Sequence, residues 1–120
     1  HREEWRPFAG VILKDYLQDY FEESIESPYM LYSQTVKEDK RDKIPAITHV
    51  DNTCRIQTVS EGILSELLEE YYKISGVPVL LNTSFNDSGK PIVETPQDAI
   101  DAFLNMNIDY LVMNNTIIGK

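Results

Sequence analysis

Val79-Leu80-Leu81-Asn82-Thr83-Ser84-Phe85-Asn86 runs from a wholly apolar stretch straight into alternating polar side chains. In an extended chain successive side chains point to opposite faces. Asn82, Ser84 and Asn86 then line one side, and Leu81, Thr83 and Phe85 the other. A buried strand that ends in a hydroxyl between two carboxamides is suited to holding a polar ligand. The competing reading is turn chemistry, because Asn86-Asp87-Ser88-Gly89 follows directly. The two are compatible, and both stay open on spacing alone.

Outward from that stretch the pattern is mixed. Glu61 to Ser75 is the clearest helix, with Leu64, Leu67, Leu68 and Tyr71 at i, i+3, i+4, i+7 and Gly76 with Pro78 as its stop. Thr58-Val59-Ser60-Glu61 resembles a capping box before it. Upstream, Phe8 to Leu13 reads as a strand or buried loop. Lys14 to Glu23 reads as a short amphipathic helix on Tyr16, Leu17, Tyr20 and Phe21, broken at Ser27-Pro28. Tyr29 to Val36 alternates like a strand, and the wholly charged Lys37 to Lys43 is a solvated loop of mixed sign. Ala46 to Val50 and Arg55 to Val59 suit two strands around a tight turn at Asp51-Asn52-Thr53, since Asn tolerates left-handed backbone.

Downstream, Val77 to Leu81 is a buried strand. Thr95-Pro96-Gln97-Asp98 opens a second helix with a core face of Ile100, Phe103 and Leu104. Tyr110 to Met113 and Thr116 to Ile118 form strands about Asn114-Asn115. Interleaved strands and helices give an α/β domain with a mixed sheet.

The chain has 120 residues, about one domain, and its 42% apolar content with seven Tyr and four Phe belongs to a folded globule. A net charge of -9 argues against a nucleic-acid grip, yet leaves room for a small phosphorylated ligand held by a few cations. One cysteine, Cys54, makes no internal disulfide, and no apolar run approaches a membrane span. The expected compartment is the cytoplasm, and the Asn-x-Ser/Thr triplets at 82, 86 and 114 carry little weight there. His1 opens directly into a dense polar and aromatic segment, as expected for a piece of a longer protein.

Two further clusters carry chemistry. In His49-Val50-Asp51-Asn52-Thr53-Cys54-Arg55, a His-x-Asp pair offers too few ligands for a metal, and a lone Cys beside a strand is more often a core residue than a nucleophile. Arg55 is the sharper candidate, because its planar fork suits bidentate binding of phosphate or carboxylate. The alternative is a surface ion pair, easy to satisfy in so acidic a chain. Near the start Arg2, Trp5 and Arg6 gather basic and aromatic groups, although Glu3 and Glu4 could neutralise them locally.

These segments occur together and in order: Arg-Glu-Glu-Trp-Arg-Pro-Phe-Ala at 2–9, Thr-His-Val-Asp-Asn-Thr-Cys-Arg at 48–55, Gln57-Thr58-Val59, Asn-Thr-Ser-Phe-Asn at 82–86 and Pro-Ile-Val at 91–93. The set resembles the C-terminal part of the NodU/CmcH-type O-carbamoyltransferases over essentially the whole chain. The ending Asp109-Tyr110-Leu111-Val112 with Lys120 looks like that family too.

The resemblance implies a YrdC-like α/β domain with a twisted mixed sheet flanked by helices, incomplete at its N-terminus. Residues 1–120 are then a single domain, the C-terminal fragment of a longer enzyme. That domain makes carbamoyl adenylate from carbamoyl phosphate and ATP with Mg²⁺. An actin-like N-terminal domain of the same chain, with an iron-type metal on histidines, passes the carbamoyl group to a substrate hydroxyl. By motif Arg2 and Arg55 are catalytic, and Ser84 and Asn86 form a Ser-x-Asn pair on the phosphates. Asn82, Arg6, His49, Asp51 and Thr53 complete the binding set.

Attack of a carbamate oxygen on the α-phosphorus of ATP expels pyrophosphate, so cations and N–H donors are what the step needs. Arg2 and Arg55 neutralise and orient, while His49 and Asp51 shape the turn that aims Arg55, Asp51 alternatively helping to place Mg²⁺. The sequence departs from the family at Asn52, where Gly is usual, and at Cys54, where a small residue is usual. The Lys of the family's Lys-x-Arg element would precede His1. The chain alone is therefore expected not to transfer carbamoyl groups. Two other classes remain: a threonylcarbamoyl-adenylate-type module of transfer-RNA metabolism, and a non-catalytic docking domain. Neither nucleic acid nor membrane is an expected partner.

Overall fold

The computed structural model describes residues 8–87 and 89–120. They cluster into two compact units, the larger ending at Thr83 and the smaller spanning Ser84–Lys120.

The larger unit is built on a mixed four-stranded sheet, the α/β class that the sequence pattern predicts. Its strands are β1 (Ala9–Leu13), β2 (Ser33–Thr35), β3 (Thr53–Val59) and β4 (Val79–Asn82), in the order β2-β3-β1-β4. β1 runs parallel to β3 and antiparallel to β4, and β2 is antiparallel to β3. Central β1 reads Ala-Gly-Val-Ile-Leu because both of its faces are covered. On one face Ile12, Cys54, Ile56 and Val79 pack with Leu17, Tyr20, Phe21, Val36, Ile44 and Ile47. Gly10 is required there, because a Cβ on it would sit 2.4 Å from Ile47 Cδ1.

On the opposite face Val11 and Leu13 meet Leu68 of helix α2 (Ile63–Ser75), with Val59, Leu64 and Leu80 at the margin. Two short elements follow β1: a 3-10 helix at Lys14–Tyr16 and α1 (Leu17–Tyr20). Helix α2 ends where Gly76 turns left-handed at φ 74° and donates its N–H to Tyr72 O.

Several sequence expectations change in detail. The helix over 14–23 stops at Tyr20, because Phe21 is extended, fully buried and bridged to Val36. The strand over 29–36 shrinks to β2. Met30 takes φ 56°, and Ser27 ties the loop by accepting from Met30 N–H at its carbonyl and from Leu31 N–H at its hydroxyl. Ala46 to Val50 is not a strand. Pro45 opens a 3-10 helix through Ile47, whose i, i+3 spacing from Ile44 buries both isoleucines. The Asp51-Asn52-Thr53 turn does form, with Asn52 left-handed at φ 68°. Thr58 is not a helix cap: it lies in β3, its hydroxyl accepts from Ser27 N–H, and Gly62 stands at the N-cap of α2 instead.

The smaller unit holds α3 (Pro96–Asn105) against the hairpin of β5 (Tyr110–Met113) and β6 (Thr116–Gly119). Thr95 caps α3 by accepting the Asp98 N–H, as the sequence predicts. The core face is shifted by one residue: Ala99, Ala102 and Phe103 are buried while Leu104 is 65% exposed. Lys120 reaches back over the Phe103 ring and donates to Met106 O at the helix end. Among the described residues no helix is long and apolar enough to cross a membrane.

Candidate functional site

Strand alternation places Thr53, Arg55, Gln57 and Val59 on the α2 side of β3, and Cys54, Ile56 and Thr58 in the opposite core. Register then assembles a row across the sheet. Ser33 pairs with Arg55, the Gly10–Ile56 match sets Ala9 beside Arg55, and Ala9 pairs with Asn82. Helix α2 covers this face only over Val11, Leu13, Val59 and Leu80. Past the helix the same face becomes polar: Arg55 is exposed, and Asn82 Nδ2 donates to Gln57 Oε1 at 3.1 Å. The small side chain of Ala9 lies between Arg55 and Asn82 in the row.

The Arg55 side chain makes no ion pair or hydrogen bond among the described residues, in a chain of charge -9. The surface ion pair that composition made easy is absent there, so the guanidinium keeps its donors for another acceptor. Gln57 is missing from the residues that the sequence reading singles out as a site. Its i+2 spacing from Arg55 on a strand is the signal that finds it.

The turn before Arg55 is stitched by its own side chains. Asp51 Oδ1 accepts from the Thr53 hydroxyl at 2.7 Å and the Thr53 N–H at 3.1 Å. Those bonds, and less strongly the charge on His49, hold the Asp51 carboxyl below the ordinary aspartate range. His49 contributes backbone, donating to Thr53 O at 2.7 Å and accepting from Asn52 N–H at 2.9 Å. One oxygen of the Asp51 carboxylate, Oδ1, is thus committed to the turn. Among the described residues no group of three His, Cys, Asp or Glu side chains could hold a metal ion. Cys54 is buried in the core, and burial pushes its thiol up to about 12, which removes it as a nucleophile.

The strand reading of 79–86 holds only to Asn82, which ends β4. Beyond it Ser84 and Asn86 belong to the smaller unit and serve a turn. Ser84 Oγ donates to Asn86 Oδ1 at 2.7 Å, and Asn86 Nδ2 donates to Lys90 O at 3.0 Å. Lys90 N–H closes on Asp87 O at 2.9 Å, with Gly89 at φ 79°. Both ends of the Asn86 carboxamide are occupied, whereas exposed Ser84 retains lone pairs for a donor. A cleft of about 220 Å³ nearby in this unit is lined by Lys90, Asp98 and Asp101 among others, and by neither Ser84 nor Asn86. Arg2 and Arg6 lie outside the described residues.

The sequence matches the family described as carbamoyltransferase C-terminus over residues 1–120. It is 42% identical to nodulation protein NolNO of Sinorhizobium fredii, covering 99% of this chain and 18% of that protein. An uncharacterised Synechocystis protein is 39% identical over 100% of this chain and 23% of its own length. Nodulation protein U of Rhizobium tropici is 38% identical over 99% and 21%. The chain therefore spans about a fifth of the length of the curated relatives it matches.

Proposed function

The chain belongs to the carbamoyltransferase C-terminus family, and on that premise we propose that it is the C-terminal, YrdC-like part of an O-carbamoyltransferase in which Arg55 binds a phosphate group of carbamoyl phosphate or ATP. The observation that supports this reading is the exposed guanidinium of Arg55, unpaired among the described residues, in the polar row with Asn82 and beside Gln57. An arginine with no acidic partner among the described residues keeps its N–H donors for a bidentate anion.

The reaction is a two-step exchange. Carbamoyl phosphate loses its phosphoryl group to water, giving carbamate and inorganic phosphate. A carbamate oxygen then bonds to the α-phosphorus of ATP, the α–β P–O bond breaks, and its electron pair leaves on pyrophosphate. Negative charge builds on phosphoryl oxygens throughout, so fixed cations and neutral donors supply the stabilisation. Arg55 supplies the charge. Asn82 and Gln57 orient each other beside it, and the Asp51–Thr53 turn fixes where its strand begins. Arg2, Arg6, Ser84 and Asn86 join this set by motif alone. With Asp51 bonded to Thr53 and no ligand cluster among the described residues, Mg²⁺ would arrive on the nucleotide phosphates, which bind it through few protein ligands.

The acceptor hydroxyl, its iron-type metal and its actin-like domain belong to the rest of the protein, and ATP supply assigns the reaction to the cytoplasm. The test is pyrophosphate release by the full-length protein given ATP and carbamoyl phosphate. Arg55→Ala should lower kcat/KM by about 100-fold, the scale of losing one transition-state charge partner. Unchanged kinetics in a folded Arg55→Ala protein would remove Arg55 from the site.

A further inference from the structure

At the far end of the same sheet lies a second cavity that the reading above does not use. It occupies about 490 Å³ at the carboxyl ends of the parallel strands β1 and β3, between Leu13–Tyr16, Val59–Ser60 and the helix residues Ser65, Glu69, Tyr72 and Lys73. Ligands of α/β sheets favour that end of parallel strands, and the volume falls within the roughly 300–1,000 Å³ of small-molecule sites.

The lining has a definite sign. Its two cations are already neutralised, Lys14 by Glu26 at 3.1 Å and Lys73 by Glu70 at 3.0 Å. Its two carboxylates, Asp15 and Glu69, have no ion pair or hydrogen bond among the described residues. Half-buried Tyr16 and Tyr72 form an aromatic corner, ring centroids 4.6 Å apart and planes inclined at 52°. Burial first, then Tyr72 and the carboxylates of Asp15 and Asp19, raise the Tyr16 hydroxyl above the ordinary phenol range.

Ser65 supplies an independent pointer to a ligand. It is only 5% exposed and lines this cavity, yet its hydroxyl has no hydrogen-bond partner among the described residues. It is not sealed away either, because no unpartnered polar side-chain atom there is cut off from solvent. Buried hydroxyls are normally satisfied, so one left open toward a cavity waits for a partner.

We propose that this cavity binds a small organic cation, an alkylammonium held between Asp15 and Glu69 with its carbon chain against Tyr16 and Tyr72 and an N–H donated to Ser65. Unpaired carboxylates, half-buried aromatic rings at the cavity wall and a lone-pair acceptor together select a cation and reject an anion. The site is independent of the phosphate-binding role of Arg55.

The experiment is calorimetric or NMR titration of the full-length protein with putrescine, with its uncharged diol analogue and with succinate. Putrescine should bind saturably and the other two should not. Glu69→Gln should weaken binding by about tenfold, and Ser65→Ala by about threefold, the ranges of one charged and one neutral contact. Because any acidic protein attracts amines diffusely, Glu38→Gln, on a 3-10 helix outside the cavity lining, is the control. Equal weakening by Glu38→Gln, binding of the diol as tight as that of putrescine, or no saturable binding would overturn the proposal. Tyr72→Leu tests the aromatic contribution separately, and circular dichroism confirms that each variant is folded.

Discussion

One face of the four-stranded sheet carries two ends of opposite character. Under α2, Val11, Leu13, Val59 and Leu80 meet Leu64 and Leu68 and are sheltered by them. Two residues earlier along β1, the row of Ser33, Arg55, Ala9 and Asn82 is polar. Backbone geometry is continuous across both, so the sheet does not set the boundary. Its position depends on where the covering helix stops. The face that α2 leaves bare is where polar side chains cost nothing to desolvate, and where function can be placed without spending core.

The comparison predicts that stability resides at one end and binding at the other. Leu68→Ala should have the largest effect, destabilising the fold by about 2–5 kcal/mol in urea titration, because Leu68 is fully buried and its loss leaves a cavity against Val11 and Leu13. A loss under 1 kcal/mol would mean that α2 does not seal this end. Asn82→Ala should cost about 1 kcal/mol, the net worth of one half-buried hydrogen bond, and a double-mutant cycle with Gln57→Ala should recover that coupling. Additive effects would dissolve the Asn82–Gln57 pair.

Much of this was legible in the sequence, and the failures share a cause. Helix α3, with its Thr95 cap, and the hairpin about Asn114-Asn115 follow from local signals, since caps and left-handed turns are decided within a few residues. The strand expected at 46–50 failed because Pro45 and the i, i+3 burial of Ile44 and Ile47 outweigh the apolar content. The capping box at Thr58 failed because a distant partner, the Ser27 N–H, takes its hydroxyl. For the candidate site, Arg55 stood out as a candidate from its chemistry and its motif. The row joining it to Asn82 was not legible, since it depends on the parallel pairing of β1 with β3, a contact between segments more than forty residues apart. Gln57, though part of the Gln57-Thr58-Val59 segment, was not marked as a site residue because its bond to Asn82 crosses the same sheet.

Arg55→Ala sharpens the contrast from the polar end. Exposed, and unpaired among the described residues, Arg55 should contribute within about 0.5 kcal/mol to folding, so its variant should unfold with the parent while pyrophosphate release falls. A large loss of stability would make Arg55 a structural residue.

The smallest effect belongs to the turn that precedes it. The Asp51 carboxyl is held below its ordinary value in the fold by Thr53. A carboxylate with a depressed folded-state pKa stabilises the fold above its unfolded value of about 3.9, and that contribution fades as pH falls through the folded value. Asp51→Asn should therefore be slightly less stable than the parent at neutral pH, and the two should converge in acid, as read from thermal midpoints across that range. Because the group is exposed, salt screening keeps the gap small. If no gap appeared at any pH, charge would not be what tightens the turn. The role of Asp51 would then reduce to the neutral oxygen that asparagine also offers to the Thr53 N–H and hydroxyl.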